Sequence, residues 1–141
     1  MSMSTAASAT RKSRPEFRNI HVTQILSYRL PPAGIVSILH RISGAALFLV
    51  LPFLLWLFDL SLTSEISFEH LRGVVAGGFV KLILLGLIWA FLHHLIAGIR
   101  YLLLDLHIGL DQTPSRASAL AVFAVSGLLT LVAGLRLFGV F

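Results

Sequence analysis

The chain has 141 residues, of which 57% are hydrophobic and only 12% charged, about half the charged share of an ordinary soluble domain; with a mean hydropathy of +0.91 this excludes a soluble globule and points to one small integral membrane protein. Cysteine is absent, so disulfides, thiolate metal sites and iron–sulfur ligation within the chain are excluded. The net charge of +5 is lopsided, with Arg11, Lys12, Arg14, Arg18, Arg29 and Arg41 all in the first 41 positions, which reads as a membrane-orientation signal and not as a nucleic-acid footprint.

Residues 1–32 form a polar, basic N-terminal segment. Its start, MSMSTAASATRKSRP, has no apolar core and is not a secretory signal; the same Ser- and Arg-rich composition serves plain tails and transit peptides. The segment closes on RLPP, and proline is tolerated in the first turn of a helix. The unit that follows, 33–141, is expected to hold three helices. The first is predicted over about 33–61, long enough for a bilayer core that needs about 20 helical residues, with Pro52 bending it. SLTSEISFEHLR, 61–72, is predicted to be a short connection outside any helix. The second span is predicted over about 78–106 and contains Lys81, LILLGLIWAFL, a histidine pair and LIAGIRYLLLDL. HIGLDQTPSR reads as a loop broken at Pro114, and the third span over about 117–138. The fold class is therefore all-α, an integral membrane protein of three transmembrane helices in an antiparallel up-down bundle. Eight basic residues, including Arg100 and Arg116, fall on the N-terminal side and three, Arg72, Lys81 and Arg136, on the other. That bias predicts N-in/C-out.

Apolar spans need no further account, but an ionisable side chain at mid-helix costs about 2.5–3.5 kcal/mol. In SILHRISG, Ser37, His40, Arg41 and Gly44 fall at i, i+3, i+4 and i+7, one helical face. Arg41 can snorkel to the headgroups from there, or serve a site. On the second helix His94, Gly98, Tyr101 and Asp105 share a face, with His93, Ala97 and Arg100 on the adjacent stripe. His94 lies about 18 Å from the inner end of its helix, and Arg41 about 13 Å from the same side, so antiparallel helices bring them to similar depth. A neutral imidazole there can bond across helices, relay protons or ligate a metal. A haem b takes an axial histidine, its propionates suit an arginine fork, and Gly98 leaves room for a flat macrocycle. The other axial ligand must then come from another histidine or another subunit.

SILHRISG, together with H-x-x-x-G-I-R-Y-x-x-x-D over 94–105, resembles the cytochrome b subunit of succinate dehydrogenase, the larger membrane anchor of respiratory complex II. Arg14-Pro15 and the Y-R-L-P of 28–31 agree in order, and the likeness covers most of the chain. The resemblance implies a bacterial inner-membrane anchor, in preference to a mitochondrial one, for succinate:ubiquinone oxidoreductase in the TCA cycle and respiratory chain. It implies three partners in the bilayer complex: a flavoprotein subunit, an iron–sulfur subunit, and a second small anchor that completes the bundle. One haem b is shared with that anchor, ubiquinone is the substrate, no dicarboxylate chemistry resides in this chain, and no nucleic acid is bound. By the same resemblance His94 is the axial haem ligand, its H-x-x-x-G spacing selecting it over His93; Ser37 and Arg41 are quinone-binding; His40 and Arg41 neighbour the haem propionates. Chemically, Ser37 can hydrogen-bond a quinone carbonyl and Arg41 can stabilise charge developing during reduction. The chain departs from the family at Tyr101, where many relatives carry a second histidine, and over 15–27, PEFRNIHVTQILS. His21, His70 and His107 read as surface residues. Two other readings use the same residues: an anchor of a menaquinol-linked fumarate reductase, and a small proton-coupled transporter with a His/Arg relay.

Overall fold

The computed structural model describes Thr23 and residues 28–140; the expectations for His21, the Arg14-Pro15 pair and most of the basic segment lie outside the described residues. Residues 28–140 form four helices: α1 (Pro32–Thr63), α2 (Glu65–Ala76), α3 (Gly78–Asp105) and α4 (Gln112–Leu137). Of these, α1, α3 and α4 are long and apolar enough to cross a membrane. At 1.5 Å per residue they measure about 48, 42 and 39 Å, beyond the roughly 30 Å hydrocarbon core and into the headgroups.

Local chemistry sets the boundaries. Pro31 is extended and Pro32 occupies the first helical position, where a missing N–H costs no bond. The helix then continues through Pro52 to Thr63. At Ser64 the backbone turns extended (φ −163°, ψ 162°), and a new helix begins at once. Residues 65–72 are thus helical, correcting the expected non-helical connection. The cause is a reciprocal cap: Ser67 N–H donates to Ser64 Oγ at 3.1 Å and Ser64 N–H donates to Ser67 Oγ at 3.1 Å, satisfying donors that a helix start leaves open. Ser67 Oγ also donates to the Leu60 carbonyl at 2.8 Å, which ties α2 to the end of α1. Leu71, Val74 and Val75 of α2 share an apolar pocket with Leu57 of α1 and Leu84 of α3.

The third span begins at Gln112, five residues before the expected 117. Pro114 does not break it, because it lies in the first turn, where the N–H groups have no intrahelical acceptor. After α3, His107 takes a left-handed conformation (φ 62°), with His107 N–H donating to Leu104 O and Ile108 N–H to Leu103 O. This double bond pattern satisfies the last carbonyls of the helix.

The bundle is antiparallel by its contacts. Going up α1 from His40 to Gly44, the neighbours on α3 go down from Gly98 to His94. Going up α4 from Ser115 through Phe123 to Gly134, the neighbours on α3 go down from Arg100 through His93 to Leu85. The core between α1, α3 and α4 is Val36, Ala97, Ala119 and Val122, each at most 2% exposed. Small residues let helix backbones approach closely, which matters where lipid offers no hydrophobic drive. Large apolar side chains such as Phe48, Leu49 and Phe79 are about three-quarters exposed (74–76%) and face outward, as lipid or protein contact requires.

Candidate functional site

The site is built where α1 crosses α3. His94 is half-buried and turns its Nδ1 toward α1, 3.0 Å from the His40 backbone oxygen. A carbonyl can only accept, so Nδ1 carries the proton and the lone pair of the neutral ring lies on Nε2. Both hydrogen-bonding contacts of the ring run through Nδ1, so among the described residues Nε2 has no partner. The His40 ring stacks on the His94 ring, centroids 4.1 Å apart and planes within 4°, and the Tyr101 ring is tilted against His40 at 5.1 Å. The edge of His94 rests on the backbone at Gly44: a Cβ there would stand 2.7 Å from Cε1, closer than any real packing contact. Ser43, 2% exposed, donates its hydroxyl to the same His40 oxygen at 3.0 Å, and its Oγ lies 3.4 Å from His94 Nδ1.

The expected level match between His94 and the polar stretch of α1 holds, but the residue that meets His94 is His40 and not Arg41. At about 100° per residue, Val36 and Ser43 lie about 40° and 60° from His40 on one side and Gly44 about 40° on the other, while Ser37 and Arg41 stand farther round beyond Gly44, about 60° and 100° from His40. Ser37 is half-buried and Arg41 exposed, and neither makes a hydrogen bond, ion pair or ring contact among the described residues. They flank the crossing as an open pair one turn apart. Gly98 also differs from expectation: the space beside it holds the His40 ring, with Nε2 of His40 3.6 Å from where a Cβ would be.

The neighbouring stripe of α3 faces α4. His93 is fully buried between Trp89 and Phe123, at ring distances of 5.3 and 5.7 Å. Both its nitrogens lack a hydrogen bond among the described residues; the Val36 backbone comes close without meeting hydrogen-bond geometry. The two adjacent histidines thus have opposite surroundings: His94 oriented and open at Nε2, His93 enclosed. Arg100, 6% exposed, donates through Nε to Ser118 Oγ at 2.9 Å and through a terminal nitrogen to Ser115 O and Oγ at 3.2 and 3.1 Å. His70 and His107 are exposed, as expected of surface residues, and so is Asp105. Ser43 is the site residue that periodicity missed. It lies inside SILHRISG, at i+6 from Ser37 and so outside the i, i+3, i+4, i+7 series that ends at Gly44.

These features define a class: a three-span membrane protein whose α1–α3 crossing carries an oriented histidine beside an open Ser/Arg pair. The chain belongs to the succinate dehydrogenase/fumarate reductase transmembrane subunit family, whose model matches residues 10–133. It is similar to the succinate dehydrogenase cytochrome b556 subunit of Coxiella burnetii, 39% identical over 111 residues that cover 78% of this chain and 89% of that protein. It is also similar to the subunit of the same name from Paracoccus denitrificans, 35% identical over 126 residues, 89% of this chain and 93% of that one.

Proposed function

We propose that this chain is the membrane anchor of a bacterial inner-membrane succinate:ubiquinone oxidoreductase, set N-in/C-out, that holds one haem b jointly with a second small anchor subunit and forms part of the ubiquinone-reduction site. The observation that carries this reading is the His94 imidazole, with Nδ1–H bound to the His40 carbonyl and Nε2 left free. That is the donor arrangement of a metal-ligating histidine, in which a carbonyl fixes the tautomer and orients the ring. The names of the relatives, cytochrome b556 subunits, support a b-type haem as the group bound, and the donor set fits one.

When bound, the haem supplies one-electron redox chemistry. His94 would hold the haem iron through Nε2, with the partner anchor supplying the other ligand. His40 and Arg41 would serve the haem propionates, since an arginine fork suits a carboxylate in a low-dielectric setting. Ser37 donates a hydrogen bond to a quinone carbonyl oxygen, and the Arg41 guanidinium favours the negative charge that builds on that oxygen during reduction. Their lack of partners within the described residues supports a role toward something outside the chain. Oxidation of succinate belongs to the flavoprotein and iron–sulfur subunits.

The test is a reduced-minus-oxidised spectrum of the purified complex. His94→Ala is expected to lose the b-type signal; a normal signal with full haem content overturns the ligand assignment. Ser37→Ala and Arg41→Ala are expected to lower quinone reduction while succinate oxidation with a soluble dye survives; unchanged quinone kinetics overturn that half. The preferred quinone and direction of flux distinguish this reading from a menaquinol-linked fumarate reductase. A preparation with no haem and no dehydrogenase subunits points instead to a transporter.

A further inference from the structure

We propose that Ser43 is a positioning residue that sets the electron-donating strength of His94, acting through the His40 carbonyl that the two side chains share. The inference rests on the reading of His94 as a haem ligand and extends it to a residue one step removed. Two side-chain donors converge on that oxygen: the Ser43 hydroxyl at 3.0 Å and His94 Nδ1–H at 3.0 Å. In an α-helix the same oxygen also faces the backbone N–H four residues on, so its two lone pairs serve three donors. Each bond is weaker for the others' presence. The contact between Ser43 Oγ and Nδ1, at 3.4 Å, is beyond the usual N–H···O range of 2.7–3.2 Å, so Ser43 works mainly by competing for the carbonyl and little by direct acceptance.

The imidazole has little freedom to respond by moving. The His40 ring covers one face at 4.1 Å, and the Gly44 backbone blocks the Cε1 edge. Loss of the Ser43 hydroxyl therefore changes the bond at Nδ1 before it changes the position of the ring. With the competitor gone, Nδ1–H bonds the carbonyl more strongly, Nε2 becomes a more basic ligand, and a bound iron is stabilised in its oxidised form. The net worth of one whole hydrogen bond bounds the effect at about fivefold in the oxidised-to-reduced ratio. At 59 mV per tenfold for one electron this is a fall of at most about 40 mV.

The experiment is a potentiometric titration of the haem in the detergent-purified complex, with the low-spin EPR signal recorded alongside. Ser43→Ala is expected to keep full haem content and to lower the midpoint potential. Ser43→Thr, which restores a hydroxyl on the same carbon, is expected to return it to the wild-type value. Ser126→Ala removes an equally buried serine hydroxyl, one bonded within α4 to the Phe123 carbonyl, and is expected to leave potential and EPR signal unchanged. A Ser43→Ala complex with wild-type potential and EPR signal overturns the proposal, as does one that loses its haem or a Ser43→Thr complex that shifts as far as the alanine. Failure of the underlying reading is separate: it appears as His94→Ala retaining its haem, whatever Ser43 does.

Discussion

Gly44 and Gly86 carry the same side chain into opposite surroundings. A Cβ at 44 would meet the His94 ring at 2.7 Å, whereas at 86 it would meet nothing within 4 Å. Gly44→Ala should therefore displace the imidazole and cost about 1–3 kcal/mol of overpacking, seen as haem loss from the complex and a lower Tm. Gly86→Ala should leave haem and Tm unchanged or raise Tm slightly, since alanine favours helix by roughly 1 kcal/mol. Equal haem content in the two variants would show that the seat on α1 does not hold His94. The histidine pair gives a second contrast. Among the described residues His93 has no hydrogen-bond partner for either nitrogen of its buried ring, and each buried unsatisfied group costs about 1–3 kcal/mol. His93→Phe should preserve the ring contacts, retain the haem spectrum, and leave Tm unchanged or higher; loss of haem would make His93 a participant. The sequence places two histidines side by side and says that they lie about 100° apart on a helix. It does not say which neighbour each will meet, because that depends on how α1 and α4 are rotated about α3.

Between elements, Arg100 joins α3 to α4 through the two serines of the α4 start. A guanidinium is charged at all working pH values, so its buried donors must be met. Ser118→Ala removes the acceptor of Nε and should destabilise the bundle by about 1–3 kcal/mol, read as a lower Tm of the detergent-solubilised complex with its haem spectrum intact at low temperature. Arg100→Lys should not restore the wild-type Tm, since a single ammonium cannot reproduce the two-directional fork. A wild-type Tm in Ser118→Ala would mean that the link carries no stability. Much of the helix pattern is legible from hydropathy: the two prolines at the head of α1 and the long apolar runs mark three spans. The misread segments are the polar ones. Ser64 initiates α2 by a cap in which Ser67 stands where glutamate or glutamine is commoner, a weak signal in a stretch rich in polar residues. Pro114 reads as a break from its identity, but its position in the first turn of α4 decides that it is tolerated.

At the scale of the whole molecule the orientation can be measured with unusual clarity, since the chain has no cysteine to give background. With N-in/C-out, Ser4→Cys should resist a membrane-impermeant maleimide in intact spheroplasts and react after lysis. Val140→Cys, at a position 66% exposed, should react in both; the reverse pattern would overturn the orientation. The number of spans, the family and the depth of the His94 level follow from the sequence alone, because each depends on composition, on motif identity or on the fixed rise of a helix. Which side of α1 faces α3, and hence that His40 and Ser43 engage His94 while Ser37 and Arg41 stay open, was decided only in the tertiary structure. Helix rotation is set by the close fit of the buried residues Val36, Ala97, Ala119 and Val122, and that fit belongs to three helices together and to none of them singly.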